Sequence, residues 1–93
     1  MFPNEFMNHF DICIKFCHQK KWAKWKLFFK GFERMGRAYK EMEDLEMAKL
    51  VFEKAKIFLE KAQKENKTSD YEKCLSEIEL AMDRCEIKVS QNL

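Results

Sequence analysis

The sequence predicts an all-α fold, an antiparallel bundle of three to four helices, on three observations. Helix breakers are scarce: one Pro and two Gly stand in 93 residues against many Glu, Lys, Met, Leu and Ala, the residues that lose least on entering a helix. Apolar side chains recur three and four positions apart through most of the chain, which lays them along one side of a helix. The interruptions of that period are short, so long helices with brief connections are expected. The length predicts one helical domain over residues 1–93, with enough chain for a single core.

The first helix, from Glu5 to about His18, is the weakest, with Phe6, Phe10, Cys13 and Cys17 on one side and Ile14 nearby. Asn4, following Pro3, is its candidate cap. His18-Gln19-Lys20-Lys21 is the expected joint with the second helix, but no Gly or Pro enforces a stop. A continuous helix from Glu5 to Met42 is therefore the alternative, and its apolar side would be covered by a dimer.

In the second helix Trp22, Trp25, Phe29, Phe32, Gly36 and Tyr39 form a broad stripe, with Phe28, Met35 and Met42 beside it, while Lys24, Lys30, Arg34 and Arg37 lie on other faces. Asp44 is a plausible N-cap of the third helix, whose inner stripe is Leu45, Ala48, Phe52, Ala55, Leu59 and Ala62, flanked by Val51 and Phe58. The polar tract 64–68 ends that helix, and Ser69 with Glu72 forms a capping box for the fourth. The fourth helix presents Tyr71, Cys74, Ile78, Ala81 and Cys85, widened by Leu75, Met82 and Val89.

The formal charge of +2 is unevenly spread: residues 1–40 carry nine Lys/Arg against Glu5, Asp11 and Glu33, a net of +6, and residues 41–93 carry nine against thirteen acids, a net of −4. Such polarity can steer a partner or pair the halves of the fold. No run approaches the roughly 20 apolar residues that span a bilayer, and the N-terminus lacks the basic and apolar segments of a signal peptide. No integral membrane association and a cytoplasmic location are expected, with the four cysteines as free thiols.

Phe32, Met35, Gly36 and Tyr39, followed by Asp44-Leu45, Ala48, Phe52 and Ala55, resemble one tetratricopeptide repeat, a 34-residue helical hairpin, over about residues 29–62. Phe32 and Met35 stand where that family usually has Trp and Leu, and Glu60 where it usually has Pro. A partial echo from Asp70-Tyr71 through Cys74 and Ile78 to Ala81 begins too soon for a second whole repeat, which makes one tetratricopeptide-like central hairpin plus packing helices the expectation. The echo also resembles, more weakly, the hairpins of microtubule-interacting and trafficking domains. Both resemblances imply protein binding, and neither supplies a catalytic residue.

No phosphate loop, serine elbow, paired CxxC or zincin motif is present, so neither an enzyme nor a cofactor is expected. His9, Cys13 and Cys17, four apart on one face, form a minor metal hypothesis, but the thiols also continue the stripe of Phe6 and Phe10. The leading expectation is a noncatalytic protein–protein interaction module, an adaptor, inhibitor or assembly subunit. Its partner-binding residues are expected to be Trp22, Trp25, Phe28, Lys24 and Arg34, because a small bundle has too little interior for all its aromatics. Self-association as a homodimer through the same surface is left open. The alternative is a small nucleic-acid-associated protein using Lys20, Lys21, Lys24, Lys26, Lys30, Arg34 and Arg37 in the basic aromatic helix 20–37.

Overall fold

The structure is a computed structural model. It describes residues 3–65 and 70–91, with side chains for 5–65 and 70–85. Four helices follow in order: α1 (Pro3–Gln19), α2 (Trp25–Glu41), α3 (Leu45–Glu65) and α4 (Tyr71–Gln91). No strand occurs among the described residues, and no described helix is long and apolar enough to cross a membrane. The bundle is flat, 43 × 28 × 15 Å.

α1 begins at Pro3, a residue suited to a first helical position because its missing N–H would have had no partner there. Asn4 thus falls inside the helix and not ahead of it. Glu5 in the first turn and His18 in the last lie where the helix dipole favours acidic and basic groups.

The first two helices are separate, which removes the continuous-helix alternative. The Trp22 N–H donates to the Cys17 carbonyl at 2.7 Å and the Lys21 N–H to that of His18 at 3.1 Å. These two bonds close a Schellman motif, with Lys21 (φ 55°) in the left-handed position that glycine usually fills. Trp22 (φ 61°) is left-handed as well, and this double turn swings its indole inward.

α2 ends in the same way. The Asp44 N–H donates to the Tyr39 carbonyl and the Glu43 N–H to that of Lys40, with Glu43 at φ 63°. Asp44 then caps α3 by accepting the Met47 N–H at 3.3 Å, as its position suggested. The expected Ser69–Glu72 box lies outside the described residues at Ser69.

The α2–α3 hairpin is the centre of the bundle. All six residues of the α3 stripe are buried, as are Trp25, Phe29, Phe32, Gly36 and Tyr39 of α2. Gly36 brings the helices together: a Cβ on it would stand 2.5 Å from the Phe52 ring. Phe58 of α3 gathers the rings of Trp22 (5.3 Å between centroids) and Phe32 (5.4 Å), both edge-on, with Phe28 at 6.4 Å.

α1 and α4 flank this hairpin on opposite sides. Phe28 and Phe32 of α2 reach α1, whereas Lys26 and Lys30, about half a helical turn away from them, pair with Asp70 and Glu77 at α4. Cys74, Ile78 and Cys85 bury the α4 stripe.

Candidate partner-binding groove

α1 leans on α2 through ring tips and not through close backbone contact. Phe6 meets Phe32 edge-on at 6.1 Å, Phe10 meets Phe32 at 5.8 Å, and Phe16 meets Phe28 at 5.6 Å. Long side chains hold two helices apart, and on the outer side of this contact they leave a groove of about 330 Å³. Its walls are His9 and Cys13 from α1 and Leu27, Phe28, Phe32 and Met35 from α2, with Gly31 as its floor. Nothing lies within 4 Å of where a Gly31 side chain would begin.

The apolar surface continues beyond the groove. Leu27 is 69% exposed, Ile12 62% and Phe16 41%. Ile12 and Phe16 stand one turn apart on α1, and helical spacing turns them to the side that carries His9. Lys24 at the N-terminus of α2 and Arg34, seven residues after Leu27, are exposed and share the outer face of that helix with Leu27 and Gly31.

Of the five residues expected to meet a partner, Phe28, Lys24 and Arg34 lie on or beside this groove. Trp22 and Trp25 do not: they are 3% and 5% exposed, and their assignment to a partner surface is corrected. The left-handed turn folds Trp22 onto Phe58, and Trp25 packs beside Phe29 at 6.2 Å. The large apolar residues left exposed include Leu27, Ile12 and Phe16 instead. Their signal in the sequence is that each falls outside the apolar stripe of its helix.

The basic residues do not form one free face. Lys26 pairs with Asp70, Lys30 with Glu77 at 3.5 Å and Glu33 at 3.7 Å, and Arg37 with Glu33 at 3.4 Å. The hydrogen bond between them holds the Lys26 ammonium above and the Asp70 carboxyl below their ordinary pKa values. Lys20, Lys21, Lys24 and Arg34 make no ion pair among the described residues.

The minor metal hypothesis gains no geometric support from the fold. Among the described residues no group of three or more His, Cys, Asp or Glu is placed to hold an ion. His9 is exposed and Cys13 lines the groove, while Cys17 is sunk in the core. Burial, and then the neighbouring Cys13, push the Cys17 thiol up to about 11, and burial raises Cys13 and Cys74 too. All four cysteines are free thiols. Thiols held protonated in this way are poor nucleophiles at neutral pH. The chain matches no protein-family model, no curated protein and no solved structure.

Proposed function

We propose that this chain is a noncatalytic protein-interaction module whose α1/α2 groove receives apolar side chains from one face of a partner helix. The observation that carries this reading is the open floor at Gly31 beside exposed Leu27, Phe16 and Ile12. Contiguous apolar surface costs free energy in water, and covering it with a complementary helix recovers about 25 cal/mol per Å². Leu27, Phe28 and Phe16 supply contact area, while Lys24 and Arg34 at the rim favour acidic residues flanking the partner's apolar stripe. The amino-acid sequence of about residues 29–62 resembles one tetratricopeptide repeat, and that resemblance also implies protein binding. A cytoplasmic site of action suits four reduced thiols.

The nucleic-acid alternative is the weaker reading, because Lys26, Lys30 and Arg37 of its seven cations are engaged by carboxylates. Fewer phosphates can then be neutralised, and non-specific affinity falls with each one lost.

The test is differential capture from native extract, with and without nuclease and at two salt concentrations, using the wild-type chain and Gly31→Leu. The leucine fits the open space and suits a helix better than glycine, so the fold survives while the groove is filled. A protein retained by the wild type after nuclease treatment and lost with Gly31→Leu supports the groove. Identical retention by both chains, or recovery of nucleic acid alone, refutes it. Sedimentation of the two chains distinguishes a second copy as the occupant, since Gly31→Leu would then convert a dimer to a monomer.

A further inference from the structure

The seam between α2 and α4 is a ladder of charges whose sign logic reverses at its third rung. At the first, Lys26 faces Asp70; at the second, Lys30 faces Glu77 at 3.5 Å. Seven residues further along each helix, two turns on both, the equivalent positions are Arg37 and Arg84. Here cation meets cation. Lys40, one turn beyond Arg37, adds a third positive charge.

These three side chains wall a pocket of about 160 Å³, together with Glu77, Leu80 and Ala81 of α4 and Phe52 of α3. That volume admits several water molecules or one solvated oxyanion. Glu77 is shared with Lys30, and Glu33, only 4% exposed, contacts both Lys30 and Arg37. With Lys30 included, four cations stand against two carboxylates among these described side chains, a net of +2. Lys40 and Arg84 have no carboxylate partner among the described residues.

The arrangement has more order than scattered surface lysines. Glu33 is fixed by its burial and steadies the Arg37 guanidinium from beneath, leaving other N–H donors of that group for a ligand. Arg84 approaches from the facing helix, so two planar guanidiniums flank one small space. Guanidiniums suit the paired oxygens of phosphate, and a dianion between them replaces the missing rung of the ladder.

We propose that the Arg37–Lys40–Arg84 pocket binds a phosphate dianion, free or as a monoester, and that this anion stabilises the α2/α4 seam. The pocket opens on the opposite side of α2 from the α1/α2 groove, so it does not depend on the groove having a partner.

The experiment titrates the full chain with inorganic phosphate and, in parallel, O-phosphoserine at constant ionic strength, following the arginine side-chain N–H signals by NMR and the unfolding temperature by circular dichroism. The wild type should give saturable shifts at Arg37 and Arg84 and a phosphate-dependent rise in Tm. Arg84→Glu restores cation–carboxylate pairing at the third rung; it should raise Tm without phosphate and weaken phosphate binding at least roughly tenfold, the effect of losing one charge-assisted contact. Arg84→Gln should weaken binding without the gain in Tm, and Arg34→Gln, outside the pocket, should change affinity by less than about twofold. Tighter binding of phosphoserine identifies a monoester ligand, and equal binding identifies free phosphate; either supports the site. Shifts that grow linearly without saturation, or equal losses in Arg34→Gln and Arg84→Gln, overturn it.

Discussion

The two glycines of this chain sit in opposite environments, and they lead to opposite predictions. A methyl group at Gly36 would enter the ring of Phe52, a rigid and fully buried side chain. Gly36→Ala should therefore destabilise the protein by about 1–3 kcal/mol in urea unfolding, despite alanine's better helix propensity. At Gly31 there is no such neighbour, and Gly31→Ala should stabilise by roughly 0.5–1 kcal/mol. Equal effects at the two positions would contradict the packing described. Gly36 was legible in the sequence because it occupies a place in the apolar stripe, where a small residue implies close helix approach. Gly31 was not, because an empty space outside the stripe leaves no periodic mark. The tryptophans show the same limit from the other side. Their spacing put them on the core stripe, whereas counting aromatics against a small interior argued for leaving some exposed. The structure resolves the conflict by burying both indoles and exposing other large apolar residues, among them Leu27, Ile12 and Phe16.

At the scale of elements, the boundary with a side-chain signature at Asp44 was readable outright, whereas the joint expected at His18-Gln19-Lys20-Lys21 was placed where the break occurs but could not be told from a continuous helix. Asp44 carries a carboxylate in the position that accepts an N–H of the first turn, and it does so. Asp44→Ala should cost about 1 kcal/mol. The ends of α1 and α2 instead depend on left-handed Lys21 and Glu43, where glycine is the expected residue and therefore the expected signal. An L side chain in that conformation costs roughly 1 kcal/mol, so Glu43→Gly should raise stability by about that amount if the turn is as described. Chemical denaturation measures both changes. A loss of stability in Glu43→Gly would mean that its carboxylate contributes more than its backbone conformation costs. The break between α1 and α2 matters for function as well as topology. A continuous helix would carry residues 5–19 away from α2, and the groove between the two would not exist.

At the scale of the whole molecule, the contrast between a basic first half and an acidic second half is partly resolved within the fold. α4 brings Asp70 and Glu77 to the side of α2 that carries Lys26 and Lys30, away from the side that faces α1. The charge segregation was visible in the sequence, but its register was not, because a contact across 44 or 47 residues depends on how three helices pack. This pairing has a defined pH dependence. The Asp70 carboxyl is held below its ordinary value of 3.8, so the stability it contributes is present above that pH and is lost as pH falls through the depressed folded value. Lys26 is raised above 10.5, so its contribution is present below that pH and is lost as pH rises through the elevated folded value. Between these limits the pair contributes a constant amount, kept small by the exposure of both groups and weakened by added salt. Asp70→Asn should therefore lower Tm slightly across the neutral range, and its deficit should vanish both in strong acid and in high salt. A deficit that persisted after the carboxylate was protonated would assign Asp70 a role in packing or chain geometry, and the charge ladder would then have to begin at Lys30 and Glu77.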